Sequence, residues 1–206
     1  YNKDPYNNIQ ANPWGLVHAQ QSDRNRTMVT GHVDLKFNIL PGLTFTTTNG
    51  IDFNDYKGYS LSSAKLFGKT DMGNNNTQVM ALQTTNNLTY VGKWGQHNLT
   101  ATGVWEATSH ETRGMSIDGK NVAQEFLGYW NVKNAANRDA DNSYSKWTML
   151  SGVARVMYNY ADRYMLTGTF RADGSSRFTN KKWGYFPSVA AAWTVSNEKF
   201  FEPVQD

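Results

Sequence analysis

The sequence predicts an all-β, antiparallel fold, built either as a segment of a transmembrane β-barrel or as a soluble two-sheet sandwich. Three observations point there. Apolar residues recur at every second position in successive stretches, the period of a strand whose two faces meet different surroundings. Aromatic residues make up 14% of the 206 residues while mean hydropathy is −0.64, a pairing that arises when single large apolar groups alternate with polar ones. The connections are lopsided, with tight turns on one side and long segments on the other.

In chain order, the first strand is expected at about 27–39, where Val29, Gly31, Val33, Leu35, Phe37 and Ile39 share one face and Thr30, His32, Asp34, Lys36 and Asn38 the other. "LPG" at Leu40–Gly42 turns the chain into a second strand, about 43–55, with Leu43, Phe45, Ile51 and Phe53 against Thr44, Thr46, Thr48, Asp52 and Asn54. The pair reads as a hairpin. Strands at about 83–93 and 96–108 flank Trp94–Gly95, and Leu99, Ala101, Gly103, Trp105 and Ala107 share a face of the second. A fifth strand, about 146–160, and a sixth, about 163–171, flank "ADR" at Ala161–Arg163. The fifth is the least clear, because Met149, Val153 and Met157 make its second face partly apolar. The seventh, about 183–195, sets Val189, Ala191, Trp193 and Val195 on one side.

Between the tight turns the sequence leaves long connections at about Tyr56–Leu82 and Ser109–Ser145, and a shorter one at Ala172–Lys182. Structureless loops beyond about 12–15 residues are uncommon in compact soluble domains. Outer-membrane barrels combine short inner turns with long outer loops, and their strands need about 9–11 residues to span. Tyr158, Tyr160 and Tyr164 around "YNYADRY" suit an interfacial aromatic belt. A sandwich also buries alternate residues, so periodicity leaves both architectures open. Seven strands do not make a bacterial outer-membrane barrel, which has an even count of at least about eight, so on the barrel reading the chain is part of something larger. Opening on Tyr1, without an initiating Met or a signal-like start, it is expected to be a processed or excised piece.

Several classes are set aside. A net charge of +3 with no basic run gives no support to a nucleic-acid partner. Zero cysteines exclude a disulfide framework and cysteine-type zinc sites, and no apolar run approaches the roughly 18 residues of a spanning helix. The four histidines, His18, His32, His97 and His110, show no metal-ligand spacing. "DADNS", with Asp139, Asp141 and Ser143, opens like a calcium loop but lacks the glycine and glutamate that complete one. No metal site and no cofactor are expected.

"RADGSSRF", with Arg171, Asp173, Gly174, Ser175, Ser176, Arg177 and Phe178, invites a catalytic or anion-gripping reading. A nucleophilic serine needs a base, and no histidine lies near in sequence. Glycine with two guanidiniums can hold an anion, but Asp-Gly is foremost a turn signal, so a structural turn is expected. Neither paired carboxylates nor a triad marks an enzyme. Candidate cargo contacts are the aromatics of the long connections, Tyr129, Trp130, Tyr144, Tyr59 and Phe67, whose rings can stack on sugars or pack on a partner protein.

From Met157 to Phe201 the chain resembles the SusC/RagA family of TonB-dependent outer-membrane transporters of Bacteroidetes-type bacteria. The resemblance rests on Tyr160, Asp162, Arg163 and Tyr164, then Arg171 and Asp173 to Phe178, then Trp183, Gly184, Phe186, Pro187 and Ser188, then Glu198, Lys199 and Phe200, in that order. The upstream part resembles the preceding barrel segment more loosely. The resemblance implies a plugged barrel of about 22 strands, of which this chain supplies about seven, without plug, TonB-contacting segment or signal. It implies outer-membrane import of a bulky oligosaccharide or peptide, with TonB engaged through another part of the protein and a SusD-like surface lipoprotein as lid. Membrane lipid and the rest of the same barrel are the other expected neighbours. Asp34, Lys36, Asp52, Arg155 and Arg171 are then expected to face the lumen, and the competing reading is a secreted glycan-binding sandwich.

Overall fold

The computed structural model describes residues 13–204. It contains one seven-stranded sheet whose spatial order is the chain order, β1 to β7. The strands are β1 (Gln20–Leu40), β2 (Leu43–Ser62), β3 (Asp71–Trp94), β4 (His97–Val122), β5 (Ala135–Tyr160), β6 (Tyr164–Ser175) and β7 (Trp183–Trp193). A short helix, α1 (Pro13–Ala19), precedes β1, and α2 (Ala64–Phe67) lies between β2 and β3. Two 3-10 segments, Glu125–Trp130 and Val132–Asn134, connect β4 to β5.

A sandwich requires a second sheet packed on the first. The described residues form a single sheet, which sets the sandwich aside and suits a portion of a barrel wall. β5 pairs antiparallel with β6 and β6 with β7 in unbroken register, from Tyr160↔Tyr164 to Met149↔Ser175 and from Tyr164↔Trp193 to Gly174↔Trp183.

The tight turns follow local chemistry. Pro41 and Gly42 join β1 to β2, with Gly42 at φ 83°, which suits glycine. The β3–β4 turn is Gly95–Gln96, one residue later than Trp94–Gly95, because Gly95 holds the positive φ of 57° while Trp94 still pairs in the ladder. At the β5–β6 turn, Ala161 and Asp162 both take positive φ, 56° and 54°.

The long connections are shorter than the sequence suggests. Tyr56–Leu82 and Ser109–Ser145 were expected as loops, yet most of both is strand. β2 continues to Ser62, β3 starts at Asp71, β4 continues to Val122, and β5 starts at Ala135. Segments such as "DMGNNNTQ" carry polar residues on both faces, so they lack the alternation that marks a half-buried strand, while their backbone pairs nonetheless. β1 gains residues at its start for the same reason. β6 runs four residues past Arg171, and β7 stops at Trp193.

The chain divides into two compact units. Among the described residues, one comprises 13–29, Asp52–Met80 and Glu111–Lys146. It contains every buried apolar side chain among the described residues, namely Ala19, Leu61, Met72, Val122 and Ala135. Tyr129 and Val132 pack against the last four of these. Ser63 and Thr70 are buried beside them, and their polar groups are met: the Ser63 amide donates to Ala19 O at 2.7 Å and the Val122 amide to Thr70 O at 3.0 Å.

The other unit comprises Thr30–Ile51, Ala81–His110 and 147–204. The observed register assigns the residues of its strands β5 to β7 to two faces. One face carries Leu150, Ala154, Val156 and Tyr158, then Tyr164, Leu166 and Phe170, then Trp183, Tyr185, Val189 and Trp193. The opposite face is mixed: it carries Ser151, Arg155 and Asn159, then Thr167, Thr169, Arg171 and Asp173, then Ser188 and Ala190, with Met149, Val153, Met157, Met165 and Phe186 among them. No described residue covers the apolar face: Val189 is 78% exposed and Leu166 52%. Ten residue steps from Tyr164 to Gly174, at about 3.3 Å each and a tilt of about 40°, span roughly 25 Å of height, the height of the apolar band of an outer-membrane barrel.

Rings mark the band's edge at the tight-turn end. Trp94 stacks on His97 at 5.9 Å, His97 meets Tyr160 at 4.9 Å, Tyr160 stacks on Tyr164 at 6.4 Å, and Tyr164 on Trp193 at 6.5 Å. His97 Nδ1 also lies 2.6 Å from the Tyr158 hydroxyl. Such amphipathic rings sit at the boundary between hydrocarbon and water.

Candidate functional site

Three of the five candidate cargo-contact residues come together. Tyr59, on β2, stacks on Tyr129 with ring centroids 5.2 Å apart and meets Trp130 at 4.8 Å; Tyr129 and Trp130 are themselves 5.2 Å apart. The connection carrying Tyr129 and Trp130 is held down at several points. The Tyr129 hydroxyl donates to Asp23 on β1, and Asn74 Nδ2 on β3 donates to Tyr129 O at 3.2 Å. The Asp23 carboxylate, accepting that proton, pushes the Tyr129 phenol above its usual pKa.

Glu125 fastens the same connection to α2. Its Oε2 accepts from the Thr70 hydroxyl at 3.0 Å and from the Ala64 amide at 3.3 Å, while Ser63 Oγ caps the helix by accepting from the Lys65 amide at 3.2 Å. The Ser63 hydroxyl foremost, with Thr70 and the Ala64 amide, holds the Glu125 carboxyl below the ordinary glutamate pKa. Trp130 remains 70% exposed and neighbouring Phe126 83%. Both border a cavity of about 610 Å³ with His18, Gln21, Lys65 and Glu125 among its walls.

The other two candidates lie apart from this cluster. Tyr144 is on strand β5 rather than in a loop, with its hydroxyl 3.4 Å from Glu111 Oε2, which it donates to. Phe67 ends α2 and is exposed. Asp23, Asn74 and Glu125 were not legible as parts of the site, since each acts across 55 to 106 residues of chain; only the strand register brings them there.

"RADGSSRF" departs from the turn expected of it. Asp173 and Gly174 lie within β6, opposite Ser151 and Leu150 on one side and Gly184 and Trp183 on the other. Gly174 does not take a positive φ. Its need for glycine is steric: a Cβ there would meet the Trp183 ring at 2.9–3.0 Å, so the indole lies across the bare backbone. The chain reverses after Ser175, over residues 176–182. Arg171 Nε donates to Asp173 Oδ2 at 2.7 Å. Ser176 Oγ accepts from the Thr148 amide at 2.8 Å, and Arg177 lies over the Trp147 ring at 4.7 Å. Phe178 is exposed.

The residues expected to face a lumen fall on the polar parity of their strands. Asp34 accepts from the Thr48 hydroxyl at 2.6 Å, and Lys36 and Asp52 share that parity on β1 and β2. Arg155 stands opposite Thr169, and Arg171 opposite Val153 and Phe186. At the tight-turn end, residues that carried the family resemblance converge on one carboxylate. Glu198 accepts from Tyr164 Oη at 2.5 Å, from Arg163 Nη1 at 3.1 Å and from Trp193 Nε1 at 3.1 Å. Asn197 Nδ2 donates to Asp162 O at 3.0 Å. Among the described residues no group of three or more His, Asp or Glu forms a metal site.

No protein-family model matches the chain. Among curated proteins, TonB-dependent receptor P3 of Formosa agariphila is 29% identical over 199 residues, covering 93% of this chain and 20% of that protein. TonB-dependent receptor SusC of Bacteroides thetaiotaomicron is 28% identical over 210 residues, covering 99% of this chain and 20% of that protein. The chain therefore spans about a fifth of the length of these curated relatives. Among solved structures, the RagAB peptide transporter superposes on 92% of this chain and 22% of its own with a TM-score of 0.79. At 16% identity that likeness speaks for the fold.

Proposed function

We propose, from the premise that the chain is a barrel-wall segment of a SusC/RagA-type TonB-dependent receptor, that it helps form an outer-membrane transporter importing a bulky nutrient, an oligosaccharide or a peptide. Passage and recognition are then its work, with no bond chemistry in this segment. The observation that carries this reading is the uncovered apolar face of β5–β7, about one hydrocarbon thickness high and backed by a face on which the charged and hydroxyl side chains of these strands gather. A wall of this kind separates lipid from a watery or plugged lumen, so Asp34, Lys36, Asp52, Arg155 and Arg171 face the lumen. TonB engages the parent elsewhere, and a SusD-like surface lipoprotein closes it from outside. Tyr59, Tyr129 and Trp130 form a ring shelf for cargo or for that lid. The solved structural neighbour is described as a peptide transporter, which supports peptide cargo as one of the two alternatives.

Adjacent residues at one depth test the wall. Val189 lies on the apolar parity of β7 and Ser188 on the polar parity. Thr194 serves less well as the polar control, because it lies past the end of β7, where its amide donates to Arg163 O at 2.8 Å. An arginine at a lipid-facing midplane costs about 2–4 kcal/mol. Val189→Arg in the full-length protein is expected to abolish heat-modifiable, membrane-assembled barrel, while Ser188→Arg assembles as the parent does. Equal tolerance of both substitutions would remove the membrane wall and the import reading with it.

A further inference from the structure

Near the start of β1 two arginines stand without a carboxylate. Arg24 and Arg26 are both exposed, on the polar parity of the strand, and neither joins an ion pair among the described residues. They line a cavity of about 330 Å³ with Ser22, Tyr56, Ser60 and Asn75. Arg26 is held in place by neutral groups. Its Nε and Nη2 donate to Asn54 Oδ1 at 3.2 and 2.7 Å, and its guanidinium carbon lies 5.0 Å from the centre of the Tyr56 ring. The nearby acids are engaged elsewhere. Asp23 accepts from Tyr129, and Asp55 is paired with Lys57 at 3.2 Å and accepts from Asn76 at 2.9 Å. A fixed guanidinium with no ion-pair contact, beside a second arginine, is a ready partner for a carboxylate or sulfate, the anions whose oxygens match its planar donor fork.

The geometry points to a subsite for an acidic sugar of the cargo, a uronate or a sulfated residue. This rests on the import reading and narrows its cargo. A glycan is favoured over a peptide by the walls, which contain hydroxyls, amides, Lys57 and two tyrosines, Tyr56 and Tyr59, but no branched aliphatic side chain to seat an apolar residue and a single carboxylate, Asp23, which already accepts from the Tyr129 hydroxyl. The Tyr56 ring lies under the Arg26 guanidinium, and Ser22 and Asn75 offer partners for sugar hydroxyls.

The test uses the full-length transporter in detergent. Isothermal titration compares trigalacturonate, its fully methyl-esterified form, a sulfated galactose trimer and triglutamate. At least one charged sugar is expected to bind at least tenfold tighter than the neutral ester, with a preference that shrinks as salt rises. The double substitution Arg24→Gln, Arg26→Gln is expected to erase that preference and leave ester binding unchanged, its folding checked by heat-modifiable migration. Which charged sugar gains shows whether carboxylate or sulfate is read. Charge-blind binding, no binding of either charged sugar, a preference that survives the double substitution, or tighter binding of triglutamate would each overturn the acidic-sugar subsite. A transporter that assembles normally and binds sugars without regard to charge leaves the import reading standing, whereas failure of the Val189 and Ser188 comparison removes that reading independently.

Discussion

At the scale of single residues, the informative position is Gly174. Asp173-Gly174 reads in the sequence as a turn because that dipeptide commonly supplies positive φ. The structure uses the glycine instead as a bare patch of strand on which Trp183 rests, with ring atoms 2.9–3.0 Å from where a Cβ would stand. The signal was present, a tryptophan nine residues downstream, but linking it to Gly174 requires the β6–β7 register, which no local pattern carries. Gly174→Ala is expected to displace the indole and destabilise the barrel by about 1–3 kcal/mol, the range for overpacking a fitted site. Thermal melting in detergent reads this, and Trp183→Ala in the Gly174→Ala background should recover part of it. An unchanged melting temperature in the single variant would mean that the ring does not lie there. Ala161 makes the opposite case, since a non-glycine at φ 56° is strained. Ala161→Gly removes that strain and is expected to leave stability level or raise it by up to about 1 kcal/mol in the same assay.

At the scale of elements, the connection between β4 and β5 is fastened to α2 by Glu125 and to β1 and β3 through Tyr129. Because the folded-state pKa of Glu125 is lowered, its stabilisation is fully present above the unfolded glutamate value of about 4.3 and is lost as pH falls through the lower folded value. Loss of its charge-assisted bonds costs about 1 kcal/mol. Glu125→Gln should therefore melt lower than the parent at pH 7 and converge with it as pH falls below about 4. Parallel melting curves across that range would exclude the clip. Trp130 is the complementary probe, being held to Tyr59 and Tyr129 yet 70% exposed. On the proposed import role, Trp130→Ala is expected to weaken binding of cargo or lid several-fold, since a stacked ring contributes about 0.5–1.5 kcal/mol, while moving the melting temperature little. Lower stability with unaltered binding would instead make the ring cluster a packing device.

At the scale of the molecule, legibility followed the surroundings of each strand. β1 and β6 announce themselves because one face is apolar and the other largely polar, so Val33, Leu35 and Phe37 or Leu166 and Phe170 stand out at period two. The polar ends of β2 to β5 are not legible, because their few buried apolar residues, such as Leu61 and Met72, stand singly among polar ones and leave no period-two trace. The choice between barrel wall and sandwich was likewise not legible from alternation, which both satisfy; the single sheet decides it. A further consequence follows from where the cores are. Leu61, Met72, Val122 and Ala135 give one unit a small interior of its own. The unit containing β6 and β7 has no buried apolar side chain among the described residues, and Trp193, Val189, Leu166 and Phe170 are each close to half exposed or more. Contiguous apolar surface beyond a few hundred Å² is rarely left in water by a monomeric soluble protein, and unpaired edges at β1 and β7 invite pairing with other chains. The 206-residue segment produced alone is therefore expected to aggregate without detergent and to disperse in detergent micelles, as followed by sedimentation velocity. A monodisperse monomer in plain buffer would mean that the apolar face finds a cover within this chain, and the wall reading would fall with it.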